Sequence, residues 1–258
     1  MSRAEVTAVI TRGRTRDYGY LGTPGDEWWV EPARFTDLDQ PAVLALRDGT
    51  GFRALVSGIP SARRDSVGRT IRVTLVLAGD DRPGAVLALA RAALDDTARA
   101  ALGARLDGVI TEALVDEWRG VVDRPLGPAA DAVLDAVDSP GEQVPGAGQP
   151  ASWVMSADDP SSTGTFLARL ADLLTGEAVG YAIATNRLVS EAGAERARQA
   201  LGADTAVLLL SDSATVAGVR PLGKAPGTPR SPTPAPFPVR LLLGAGLALV
   251  VLLALLLL

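Results

Sequence analysis

Apolar and polar residues alternate from Glu5 to Arg12, with Val6, Ala8 and Ile10 on one side and Glu5, Thr7 and Thr11 on the other. That period of two predicts a half-buried strand. A glycine- and proline-rich stretch follows, with Gly19, Gly22, Pro24 and Gly25, and reads as a loop leading into Trp28 and Trp29. Gly51 to Ser57 and Arg69 to Ala78 repeat the alternation, the latter with Ile71, Val73, Leu75 and Leu77 to one side. The simplest assembly of these runs is a meander of antiparallel strands, a β-rich N-terminal lobe.

The period then changes. After Asp80, Asp81 and Pro83, residues Leu87, Ala90, Leu94, Ala98 and Ala101 recur every three or four positions. This predicts one amphipathic helix, capped by the aspartates with proline in its first turn. Further helices are expected over Leu114 to Val121 and Ala129 to Val137, and a loop over Ser139 to Pro150.

From Ser152 onward the pattern is more regular. Ser152 to Ser156 reads as a strand, and Phe166, Leu167, Leu170, Leu173 and Leu174 form the apolar face of a helix that starts near Ser161 or Ser162 and stops at Gly176. A strand over Val179 to Thr185, a helix from Ser190 to Gly202 and an apolar strand over Thr205 to Leu210 complete a β-α-β-α-β series. Short connections imply parallel strands with right-handed crossovers. The expected class is therefore mixed α/β: a head over 1–222 with lobes at 1–138 and 151–220.

Two segments after the head change the picture. Pro221 to Pro238 holds seven prolines, so 223–239 reads as an extended stalk. Leu241 to Leu258 is an uninterrupted apolar run of eighteen residues. As a helix it would span about 27 Å at ~1.5 Å per residue, close to the ~30 Å hydrocarbon core of a bilayer. The expectation is a tail-anchored, single-pass membrane protein with its span at 240–258 and the lipid bilayer as one partner. The opening MSRAEVTAVITRGRTRDYG has no apolar core of the signal-peptide kind. Lys224, Arg230 and Arg240 flank the span on its N-terminal side, which keeps the head in the cytoplasm by the positive-inside rule. Gly244 and Ala248 form a small-xxx-small pair through which two spans could associate.

Composition narrows the chemistry. There is no Cys and no His, and the single Lys, Lys224, lies beyond the head. Disulfides, cysteine-based zinc sites, thiolate nucleophiles, Ser-His-Asp triads and a phosphate-cradling lysine are thus all excluded from the head. Its 30 acidic residues against 22 arginines give a net charge of −8, which disfavours nucleic acid as a partner. No dinucleotide-binding glycine motif is present, and no cofactor is expected.

Two groups of residues could still hold a ligand. In a parallel α/β unit, ligands sit outside the carboxyl ends of the strands. Those ends carry Asp158 and Asp159, then Asn186, then Asp212. The loop SADDPSSTGT leads into a helix N-terminus, which suits an anion, while its carboxylates suit a divalent cation. The same residues also serve as ordinary turn and cap formers. Arg63, Arg64, Arg69 and Arg72 form the second group, clustered around a turn with Asp65. Guanidinium forks suit phosphate or carboxylate, and Arg with Trp anchors protein interfaces. In so Arg-rich a chain, a solvated loop with local Arg–Asp pairs explains the spacing without any ligand. The functional expectation is a non-catalytic interaction or scaffold head tethered to a membrane, with a protein partner. The alternatives are a carboxylate- or Arg-based nucleotide- or metal-binding enzyme or switch, and a membrane-acting effector.

Overall fold

The computed structural model describes residues 5–13, 17–22, 27–117, 126, 128–137, 150–214 and 216–223. Five strands from the first half of the chain pair antiparallel: β1 (Glu5–Thr11), β2 (Gly19–Gly22), β3 (Ala42–Asp48), β4 (Gly51–Arg64) and β5 (Thr70–Ala78). Three from the second half pair parallel: β6 (Trp153–Ser156), β7 (Gly180–Thr185) and β8 (Thr205–Leu209). β3 pairs antiparallel with β7, with Leu44 opposite Ile183, and thereby joins both halves into one mixed sheet. A two-residue strand, β9 (Arg220–Pro221), closes the far edge antiparallel to β6. The order across the sheet is β2-β1-β5-β4-β3-β7-β8-β6-β9. The two expected lobes therefore contribute to a single sheet.

Several expectations need correcting. The glycine-rich stretch expected as a loop contributes an edge strand, β2, paired with β1. β3 was not foreseen: AVLALRD lacks a clean alternation because Ala42 to Leu46 is buried on both faces. The antiparallel half is not a simple meander either, since β1 inserts beside β5 and away from β4. The single helix expected after Pro83 is two, α2 (Pro83–Leu94) and α3 (Asp96–Asp107). Asp95 between them is extended and its side chain accepts the Ala98 N–H at 2.7 Å. A capping aspartate inside the periodic run thus ends one helix and starts the next. Asp80 and Asp81 do not cap α2, whose N-cap, Arg82, makes no side-chain capping bond.

The remaining helices are α1 (Val30–Ala33), α4 (Glu112–Glu117), α5 (Pro128–Val137), α6 (Ser162–Thr175) and α7 (Glu191–Leu201). Ser190 caps α7 by accepting the Gly193 N–H at 3.2 Å, as its position implies. α2, α3, α5 and α6 cover one face of the sheet in a continuous core that includes Phe52, Leu75, Leu89, Leu106, Trp153 and Phe166. α1 and α7 lie on the other face, over two smaller clusters around Trp29 with Leu55, and around Val154 with Val207. Among the described residues no helix is long and apolar enough to cross a membrane. The stalk beyond Gly223, the run 241–258, the expected loop at 139–149 and the end of the helix expected to reach Val121 lie outside the described residues.

α3 sits on β4 at unusually short range. A Cβ at Gly103 would lie 1.8 Å from the Pro60 carbonyl oxygen, against a backbone that cannot yield as a side chain would. Helix propensity alone favours Ala over Gly by about 1 kcal/mol. Here overpacking dominates, and Gly103→Ala should destabilise the fold by at least about 2 kcal/mol in denaturant unfolding. A neutral or stabilising result would contradict this α3–β4 contact.

Candidate functional site

The carboxyl ends of β6, β7 and β8 lie along one edge of the sheet, where the parallel arrangement brings the loops bearing Asp158 and Asp159, Asn186 and Asp212 side by side. The tip of the β4–β5 hairpin reaches the same edge, because β4 runs antiparallel to β3 and β3 antiparallel to β7. Four strand spacings separate β4 from β6, about 19 Å at ~4.8 Å each. The carboxylate group and the arginine group therefore do not converge on one ligand.

Within the first group the residues have local employment. Asp159 accepts the Ser161 N–H at 2.9 Å and the Ser161 hydroxyl at 2.8 Å, just before α6. These two bonds, the backbone one foremost, hold its carboxyl below the ordinary aspartate range. Asp158 and Asp212 are exposed. Beyond Asp212, the hydroxyls of Ser211 and Ser213 bond to each other at 2.8 Å. Asn186 turns away from the carboxylates and donates to the Gln40 side-chain oxygen at 3.3 Å. Its neighbour Arg187 reaches the Thr36 carbonyl at 3.3 Å, and Thr185 donates to the Phe35 carbonyl at 2.9 Å. The segment 35–40 is thus bound to the end of β7, an assembly that no local pattern in the sequence could signal. Among the described residues no group of three or more acidic side chains is placed to hold a metal ion.

The arginines divide. Arg63 is half-buried, donating to Ser61 Oγ at 3.0 Å, to Thr11 Oγ1 at 3.0 Å and to the Arg12 carbonyl at 3.3 Å. Asp107 at the end of α3 stands 3.8 Å from Arg63 and also accepts the Ala62 N–H and the Ser61 hydroxyl. Burial lowers the Arg63 pKa, and the charges of Asp107 and Glu112 oppose that shift. Arg63 thus fastens β4 to the end of β1, while Asp107 fastens α3 to β4 through Ser61 and Ala62. Arg64, Arg69 and Arg72 stay on the outside of the hairpin. Arg64 is exposed and donates to Thr70 Oγ1, while Arg69 is 73% exposed and pairs with Asp65 at 2.9 Å. The Arg72 backbone N–H donates to the Tyr18 hydroxyl, which in turn donates to Asp39.

Two interactions outside these groups matter for how the head is held. Arg47 on β3 donates to Asp80 through both terminal nitrogens, at 3.2 and 3.1 Å, and to the carbonyls of Leu173 and Leu174 at the end of α6. One guanidinium thereby ties together the sheet, the loop before α2 and the C-terminus of α6, where a cation also complements the helix dipole. On α7, Glu195 accepts from Arg198 at 2.8 Å and from the Gly223 backbone N–H at 2.9 Å. Because β9 runs against β6, and the Leu222 N–H bonds to the Ser152 carbonyl, the chain returns to the amino end of β6 before it reaches Gly223. It leaves the head at the edge opposite the candidate loops.

The Arg198 hydrogen bonds, opposed by burial and aided further by the Gly223 N–H, lower the Glu195 pKa to about 2. A folded-state value below that of the unfolded chain means that this contact stabilises fully above the ordinary glutamate range and is lost as pH falls toward 2. The Gly223 amide resonance should therefore titrate with a midpoint near 2. A midpoint in the ordinary glutamate range, near 4.5, would contradict the contact.

Comparison with protein-family models, with curated proteins and with solved structures finds no match for this chain.

Proposed function

We propose that the protein is a membrane-tethered interaction module. Residues 1–222 form a cytoplasm-facing head that binds a protein partner without catalysis, 223–239 a stalk, and 240–258 a single transmembrane helix. The observation that carries this reading is the uncharged apolar run 241–258 following a proline-rich break, with Lys224, Arg230 and Arg240 on its N-terminal side. Association of two copies through Gly244 and Ala248 is compatible with it.

The position of the chain exit supports the same reading. Gly223 is fixed to α7 at the edge away from the β4–β5 hairpin and the loops after β6, β7 and β8. The last described residue of the head thus leaves those loops and the hairpin tip uncovered. The internal commitments of Asp159 and Arg63 favour recognition over a carboxylate- or Arg-based reaction centre.

The test compares the full chain with one ending at Gly223. The full chain should resist alkaline extraction from membranes and the shorter one should be released, while crosslinked purification recovers the same partner with both. Release of the full chain would refute the anchor. Recovery of no partner by either form, combined with a ligand-dependent rise in melting temperature that Asp158→Ala abolishes, would refute the interaction reading in favour of a ligand-binding one.

A further inference from the structure

β4 outruns its neighbour. β3 ends its pairing at Ala42 opposite Ser57, whereas β4 continues to Arg64, so the segment beyond Ser57 has no β3 residue beside it. The outer end of the β4–β5 hairpin pairs Arg64 with Thr70 and closes in a short loop, Ser66, Val67 and Gly68. The Gly68 N–H bonds to the Asp65 carbonyl and the Asp65 N–H to the Arg69 carbonyl, both at 3.0 Å. Gly68 adopts a φ of 83°, as a three-residue hairpin loop of this kind requires at that position.

The loop is held rigid from beneath. The Asp65 side chain is 2% exposed; it accepts the N–H groups of Val67 and Arg69 at 3.0 and 2.8 Å and the Arg69 Nε at 2.9 Å, with Arg12 3.4 Å away. A buried, hydrogen-bonded aspartate fixes the backbone before any partner arrives, which reduces the ordering cost of binding.

What this support presents is Val67, 71% exposed, at the tip of the hairpin. A β-branched residue is a poor choice for a tight turn, where Asn, Asp, Gly and Ser serve the backbone better. Folding therefore does not explain it. Arg64 and Arg69 flank Val67 in sequence and are exposed, and Arg72 follows on β5, half-buried. Among the described residues no carboxylate pairs with Arg64 or Arg72. In a head of net charge −8 this projecting tip is locally cationic.

We infer that the β4–β5 hairpin tip is the finger by which the head engages its partner, and that it docks on an acidic protein segment carrying an apolar side chain between carboxylates. This rests on the interaction reading and names its surface. The apolar side chain packs on Val67 while Arg64, Arg69 and Arg72 meet the flanking carboxylates, an apolar contact ringed by charge pairs that set orientation and association rate. A lipid surface is the poorer fit, since within residues 64–72 Val67 is the one large apolar side chain that is exposed.

The test is fluorescence anisotropy of a labelled peptide with a Glu-Glu-Leu-Glu-Glu core, titrated with the full-length protein at low and physiological salt. Wild type should bind, more weakly as salt rises. Arg64→Gln combined with Arg69→Gln should weaken binding roughly tenfold or more, Val67→Thr should weaken it severalfold without changing the salt dependence, and Arg196→Gln on exposed α7 should leave it unchanged. Absence of salt-dependent binding, or equal loss in the Arg196→Gln control, overturns the inference. So does transfer of the Arg64 and Arg69 effect to vesicles of anionic lipid, which would make the finger a membrane contact, or to self-association in sedimentation. Crosslinked purification with the Arg64→Gln, Arg69→Gln protein separates the two levels. A partner still recovered, with no peptide binding, removes the finger and keeps the interaction reading; no partner with either protein removes both.

Discussion

β3 is the strand on which both halves of the sheet close. Its backbone pairs with β4 on one side and β7 on the other, so the antiparallel half and the parallel half share one hydrogen-bonded ladder and one core. Arg47, near the end of β3, adds the polar counterpart by reaching Asp80 and the last carbonyls of α6. Both partners are mostly buried, and breaking a buried pair by removing one partner ordinarily costs about 3–5 kcal/mol. The seam is thus apolar along its length and locked by a charged group at its end. It also fixes the sheet's polarity, and hence which loops share an edge.

How much of this could be read from the sequence depended on how local each determinant was. β6, α6, β7, α7 and β8 were legible because each carries its own boundary signal: Ser190 caps α7, and Gly176 and Gly202, both left-handed, end α6 and α7. β3 was not, because a strand buried on both faces loses the alternation that announces a strand. The break between α2 and α3 was hidden for the opposite reason. Leu94, Ala98 and Ala101 keep a helical spacing across it, while the capping side chain of Asp95 ends the helix. Asp80 looked like a cap and is instead the partner of Arg47, 33 residues distant.

The candidate residues show the same division. The sequence placed Asp158, Asp159, Asn186 and Asp212 at strand ends, and the topology brings their loops to one edge. It could not show that Asn186 turns to Gln40 or that Asp159 is bound to Ser161. The four clustered arginines were visible as a cluster; only the fold separates Arg63, which ties β4 to the end of β1, from the three that stay outside. Glu195 carried no signal at all, because its importance lies in contact with Gly223, 28 residues later. Within the head these features lie at opposite ends of the strands, the contact that holds Gly223 at one and the β4–β5 hairpin at the other.

All of this depends on the head being one cooperative sheet joined at β3 and β7. Native-state hydrogen exchange of the full-length protein tests that most directly. Core amides of β3, β4, β7 and β8 should exchange through one common opening, with the same free energy and the same dependence on denaturant. Separate openings for β3–β5 and for β6–β8, with different free energies, would mean that the halves are independent units and would contradict the seam.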